Sequence, residues 1–264
     1  MADGPPPRGA GTASGPPGAG SIDEAAIRAH RAERIRRELH RRDREAVLTV
    51  DPVNLRYATG TRNMQVWTMH NIVRYALVFA HGPTVLFELA TGRHLSAGLE
   101  SISDVRPSIP FDYMLVGGTA EAMARRWAAQ IRGTLKEQGC AADILAIDRA
   151  DTLMVWALGE QGTRAVDGKA ILEHARAIKS ADEIAAFRLS LATCEASVRS
   201  LHGFAVPGTR ESEAFGHLVG ESLARGGEFP ETRLLTAGPR TIRGSRNRPT
   251  ASCRRANFSP SIPT

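Results

Sequence analysis

The spacing of apolar residues alternates between helical and strand periods along most of the chain. From Asp23 to Glu45, Ile27, Ile35 and Leu39 recur at multiples of four among charged neighbours, which predicts an amphipathic helix with a thin apolar seam. Ser21 would open it, and Asp23 and Glu24 suit its positive N-terminal end. Ala46–Val50 is a short apolar run stopped by Asp51-Pro52, the pattern of a buried strand. Arg74–Ala80 and Thr84–Leu89, separated by His81-Gly82-Pro83, predict a hairpin. A helical period returns at Ala120, Met123, Trp127, Ile131 and Leu135, with Thr119 to cap it and Gly139 to end it. Ile144–Ile147 reads as a strand, Asp151–Leu158 as a short helix and Thr163–Val166 as a further strand. Strands alternating with helices predict an α/β domain.

A second unit is expected to start near Ile178. Ser180-Ala181-Asp182-Glu183 is a capping box, in which Ser takes the amide three residues on and Glu reaches back. Ile184, Phe187, Leu191, Cys194 and Val198 fall on one face of the helix behind it, with Gly203 as its stop. Pro207-Gly208 turns the chain, and Thr209 would cap a helix through Phe215, Leu218 and Leu223. Gly226-Gly227 then interrupts, Glu231–Ala237 has strand composition, and Gly238-Pro239 turns again. Two helices and one strand make only part of a core. Uncovered apolar faces around Phe187, Leu191, Phe215 and Leu218 are therefore expected, and with them poor solubility.

The net charge of +6 on 264 residues raises a nucleic-acid reading until its location is considered. Arg243, Arg246, Arg248, Arg254 and Arg255 fall in residues 242–264, where there is no acid, and they account for most of the excess. The arginine-rich stretch from Asp23 to Glu45 interleaves eight arginines with six acids, the pattern of a solvated helix face. No nucleic-acid partner is expected. Cys140, Cys194 and Cys253 have no paired spacing, so reduced thiols in a cytoplasmic protein are expected. No apolar run approaches the roughly 18 residues of a membrane span, so no membrane partner is expected either. Residues 1–22 are largely a Gly/Pro/Ala tract without the apolar core of a secretory signal, and read as disordered.

Arg176–Arg188 (R-A-I-K-S-A-D-E-I-A-A-F-R) resembles the segment that opens the catalytic domain of the pita-bread metalloenzymes, which include Xaa-Pro peptidases, creatinase and dimethylsulfoniopropionate lyases. Val206–Glu213 (V-P-G-T-R-E-S-E) and Arg225–Thr241 (R-G-G-E-F-P-E-T-R-L-L-T-A-G-P-R-T) fit the next elements of that domain. Asp51–Asn71 (D-P-V-N-L-R-Y-A-T-G-T-R-N-M-Q-V-W-T-M-H-N) is similar to the creatinase-type N-terminal domain, and its N-M-Q-x-W is closest to the lyase branch. The resemblance implies an α/β, creatinase-type N-terminal domain over residues 23–168. The incomplete start of an α+β pita-bread catalytic domain then covers residues 172–241.

By the same resemblance the default activity is metal-dependent Xaa-Pro peptidase hydrolysis. A dimethylsulfoniopropionate-type lyase is the alternative within the fold. For this polypeptide as it stands a catalytically inactive product, dead or serving only in dimerisation, is expected because the metal-ligand segment is missing. The full-length family implies a homodimer, a small peptide or small-molecule substrate, and two divalent ions (Mn, Fe, Co or Zn) held by two aspartates, a histidine and two glutamates. Those ligands belong downstream of Thr241, so neither metal ligands nor catalytic residues are assigned in this chain and no cofactor is expected to bind it. Residues 242–264 have no periodicity, and a one-base frameshift after Thr241 is expected: a GC-rich back-translation of that stretch, with codons chosen and one base restored, can be read without a stop into an acidic pair. The substrate-proximal candidates are Asn63, Gln65, Trp67 and His70, in a polar-aromatic loop, with Arg233 and Arg240. His81, His94, His174, His202 and His217 lack metal-ligand spacing, and Gly117-Gly118 has no phosphate-loop continuation.

Overall fold

The structure, a computed structural model, describes residues 22–237. Ser21, Arg240, the Gly238-Pro239 turn, the N-terminal tract through residue 21 and the 242–264 tail lie outside the described residues. The chain divides into two compact units, Asp23–Glu183 and a second that holds described residues 184–237.

In the first unit, α1 (Glu24–Arg41) begins at Asp23, whose carboxylate accepts from the Ala26 amide. It ends four residues short of the expected Glu45. Asp43 takes a left-handed φ of 51°, which an α-helix does not continue through. β1 (Ala46–Thr49) follows, and then α2 (Pro52–Thr59), which the sequence reading omits. Asp51-Pro52 stops the strand and starts this helix at once. Pro52 sits where its missing N–H is no loss, and Asp51 accepts from the Val53 and Asn54 amides. The one-turn α3 (Gln65–Thr68) precedes the hairpin of β2 (Tyr75–Phe79) and β3 (Thr84–Glu88). β4 (Asp104–Pro107) is a further unanticipated strand, short, charged and closed by proline, as suits the edge of a sheet.

Then come α4 (Tyr113–Val116), α5 (Ala120–Glu137), β5 (Ile144–Ile147), α6 (Thr152–Glu160), β6 (Arg164–Asp167) and α7 (Lys169–Ala177). The Thr119 hydroxyl bonds back to the Val116 carbonyl instead of capping α5, whereas Asp151 does cap α6.

The six strands pair in the order β4-β3-β2-β1-β5-β6. Only β2 runs against the others: β1–β2 and β2–β3 are antiparallel, while β3–β4, β1–β5 and β5–β6 are parallel. The carboxyl ends of five strands therefore share one end of the sheet with the start of β2.

Alternation along the strands supplies both faces. Leu48, Tyr75, Leu77, Phe79 and Phe87 join Trp127, Ile131 and Leu135 of α5 and Met154 and Leu158 of α6 in one core. Val47, Val78 and Ala146 join Ile35 and Leu39 of α1, Tyr57 of α2 and Ile171 and Leu172 of α7 in the other. α7 packs on this face and belongs to the first unit, Asp23–Glu183. Gly168 permits it: a Cβ there would stand 2.8 Å from the Ile147 nitrogen.

The segment after α7 is fastened by side chains. Arg34 donates to the His174 and Ala175 carbonyls, Tyr57 donates to the Ala175 carbonyl at 2.9 Å, and Arg31 meets Glu183 at 2.7 Å. Burial pushes the Tyr57 phenol up to about 12, so it remains a donor. The capping box forms as expected, with Ser180 accepting from the Glu183 amide and Glu183 from the Ser180 amide.

The helix it opens, α8 (Ala181–Phe204), passes Gly203 by one residue and runs into the second unit, where α9 (Glu211–Ala224) follows. Thr209 is not the cap of α9. Its hydroxyl accepts from the Val206 amide, and Arg210 takes the cap position with Glu213 accepting from its amide. Glu231–Ala237 forms no strand either. Its apolar content has no second strand beside it among the described residues, and the Ala237 amide donates to the Glu211 carboxylate at 2.7 Å instead. Phe187 and Leu191 are 59% and 58% exposed, as the uncovered face predicts, while Phe215 and Leu218 are partly buried.

Candidate functional site

Two polar networks lie at the end of the sheet where five strands terminate. The first surrounds the loop between α2 and β2. Extending the Tyr75↔Phe87 register by one residue sets Arg74 opposite Glu88, and both are buried, at 2% and 0% exposure. Arg74 donates through Nε at 2.8 Å and approaches through Nη2 at 2.6 Å, both to Glu88 Oε2. Glu88 Oε1 accepts from Asn63 Nδ2 at 3.2 Å and from the Leu89 amide at 3.0 Å. Arg74 Nη2 also donates to the Thr61 hydroxyl, which pairs with Ser96 at 3.2 Å. A buried charge pair is tolerable when its remaining lone pairs and protons are occupied, as here.

On this base stands α3. Met64 enters it with φ 39°, and the Asn71 side chain and the His70 and Asn71 amides close it on the Trp67 carbonyl. Thr68 turns inward, leaving Met64, Val66, Trp67 and His70 exposed, Trp67 by 36%. The Gln65 side-chain oxygen is buried without a donor among the described residues. The loop thus offers an indole face and an imidazole at its surface, above a buried acceptor that has no donor among the described residues. That set can hold a small polar or cationic molecule by contact and hydrogen bonding.

Asn63, Gln65, Trp67 and His70 therefore share one loop. Arg233 belongs to the second unit, its guanidinium carbon 5.4 Å from the centroid of the Phe215 ring. Arg74, Glu88, Thr61 and Ser96 escape sequence reading because they lie far apart in the chain, Arg74 and Glu88 being separated by 14 positions. The available signal is an arginine just before one hairpin strand and a glutamate at the end of the next.

The second network centres on Asp148, just past β5. Oδ1 accepts from the Val50 amide at 2.8 Å, and Oδ2 from the Thr49 hydroxyl at 2.8 Å and Asn54 Nδ2 at 3.1 Å. Asn54 Oδ1 accepts in turn from Arg176. Burial pushes the Asp148 carboxyl above its ordinary range, and these donors pull against that shift. Every oxygen is occupied by the β1–α2 turn, so this carboxylate fastens the fold.

In the second unit, His217 meets the Ser200 hydroxyl at 2.9 Å and stacks on Phe204 with centroids 4.2 Å apart. Among the described residues no three His, Cys, Asp or Glu side chains converge as a metal site, so the two-metal group implied by the resemblance does not fit them. No described helix is long and apolar enough to cross a membrane.

No protein-family profile matches the chain. Among curated proteins it is 36% identical over 220 residues to the dimethylsulfoniopropionate lyase DddP of Roseovarius nubinhibens, covering 81% of this chain and 49% of that protein. It is 34% identical over 224 residues to the DddP of Roseobacter denitrificans, covering 83% and 50%. Among solved structures, the prolidase of Thermococcus sibiricus superposes with a TM-score of 0.66 at 16% identity, over 90% of this chain and 60% of that one. At that identity the likeness speaks for the fold alone. Fold and relatives together show that the chain belongs to the creatinase-like, pita-bread family. Its curated relatives are lyases, and the chain spans about half of their length.

Proposed function

We propose that this chain supplies the N-terminal domain and the opening of the catalytic domain of a metal-dependent lyase acting on dimethylsulfoniopropionate or a close sulfonium analogue. The carrying observation is the 36% identity to a lyase over 220 residues, 81% of this chain. The Xaa-Pro peptidase reading has the prolidase fold in its favour and stands second.

In this reading Asn63, Gln65, Trp67 and His70 are substrate-proximal, with the indole face suited to a sulfonium cation. The full-length enzyme is a cytoplasmic homodimer acting on a small molecule, not on nucleic acid or a membrane. The residues described here bind, orient and shield. The metal pair and the chemistry it supplies fall to other residues, because the described carboxylates and imidazoles do not converge.

Two measurements test this. A chimera joining residues 22–237 to the remaining half of the Roseovarius nubinhibens protein is expected to release dimethyl sulfide from dimethylsulfoniopropionate. Hydrolysis of Xaa-Pro dipeptides without sulfide release would replace the lyase reading by the peptidase one. Calorimetric titration of the chain alone with Mn or Zn is expected to show no stoichiometric uptake of two ions, and such uptake would refute the assignment of the metals elsewhere.

A further inference from the structure

The Arg74–Glu88 pair leaves one glutamate oxygen for other partners, and the Asn63 side chain at the threshold of α3 takes one of its bonds. Thr61, earlier in the same loop, bonds to Arg74. The pair thus holds the loop at two points before α3, while Arg74 itself stands at the loop's end. Directly after Asn63 the backbone turns left-handed at Met64, a conformation that a side-chain-bearing residue keeps only when its surroundings impose it. Gly92 completes the enclosure: a Cβ there would lie 2.5 Å from Asn63 Nδ2 and 3.0 Å from Glu88 Oε1. These contacts converge on the orientation of one helical turn, which carries Gln65 and Trp67 and leads to His70.

We propose that Glu88 is a positioning residue: held by Arg74, it fixes Asn63, and through Asn63 it sets how Gln65, Trp67 and His70 are presented to substrate. This rests on the substrate-proximal reading of that loop given above. It adds that the loop's geometry is set from beneath, by a charge pair that touches no substrate.

The test uses the whole chain carrying Trp156→Phe, so that Trp67 is the tryptophan open to a soluble quencher while Trp127 is buried. Asn63→Ala cuts the tie, and Gly92→Ala displaces Asn63 while keeping both members of the ion pair. Both are expected to change acrylamide quenching of Trp67 by about twofold, and to raise amide exchange in residues 61–71 by about tenfold, with β1 and β2 within about threefold of the parent. Unchanged quenching and exchange in both variants would overturn the proposal. So would a parallel rise across the sheet, which would make the contact a general support of the fold.

Dimethylsulfoniopropionate titrated into the Trp156→Phe chain is a separate arm. A shift in Trp67 emission supports the substrate-proximal reading, and no shift at saturating ligand overturns that reading while the loop measurements still decide the fastening.

Discussion

Arg74 and Glu88 meet at 2.6 Å across the open end of the β2–β3 hairpin, both almost wholly removed from solvent. Removing one charge strands the other in the interior. Glu88→Gln keeps the shape and is expected to destabilise the first unit by about 3–5 kcal/mol. Urea unfolding should show a lowered midpoint at unchanged slope. An apolar double replacement, Arg74→Met with Glu88→Leu, should recover most of that loss, since it removes both desolvation penalties together.

Asp148 gives the pH dependence a definite sign. Its carboxyl binds its proton more readily in the folded protein than its ordinary value of 3.8 allows, burial being the main cause. Above 3.8 and below its raised value, the folded state holds the extra proton. That contribution to stability therefore falls as pH rises through the window. The advantage of the parent over Asp148→Asn should accordingly shrink as pH climbs from 3.8 and then level off. An advantage that grows over that range in a thermal-melt series would refute the assignment.

Gly168 is required by space and not by an unusual φ. A methyl group there meets the backbone of Ala146 and Ile147 in β5, which cannot rotate away. Gly168→Ala is expected to cost about 1–3 kcal/mol, the range for overpacking. Calorimetry should register it as a lowered Tm, with loosened exchange in β5 and α7.

The α8 face makes the opposite prediction. Phe187 and Leu191 are mostly exposed, so Phe187→Lys with Leu191→Lys should change stability by no more than about 0.5 kcal/mol. The same change breaks an apolar surface patch, so the concentration at which the chain starts to aggregate should rise, as light scattering would show.

Legibility in the sequence follows locality. β5 matches its predicted span because four apolar residues between polar borders admit one reading, and the Ser180–Glu183 box forms because both of its bonds close within four residues. The errors come where one residue pair carries two signals, or where the partner is remote. Asp51-Pro52 ends a strand and begins a helix together, and only the first sense is visible without the amides that Asp51 accepts from. β4 becomes a strand through its pairing with β3, since D-V-R-P by itself reads as a turn. Thr209 sits at the expected end of α9 yet bonds backward to Val206, a competition that residue type does not resolve. In the site, the loop with Trp67 is visible as composition. The charge pair that holds it exists only once hairpin register is known.

The placement of β1 between β2 and β5 also orders the assembly of the sheet in time. β1, β2 and β3 are consecutive strands that are also neighbours in space, so their pairing closes shorter loops than the pairing of β1 with β5. The other side of β1 waits for β5: Thr49 finds Asp148 across 99 residues of chain. Closing so long a loop carries a larger entropic cost and comes later. On a ribosome, the three-stranded meander emerges with one edge of β1 bare, and it stays bare until β5 has been synthesised. In pulse-labelled exchange during refolding, the β2 amides should become protected before those of β5. The seam between β1 and β5 is the interval in which a nascent chain of this protein is most open to pairing with the wrong strand.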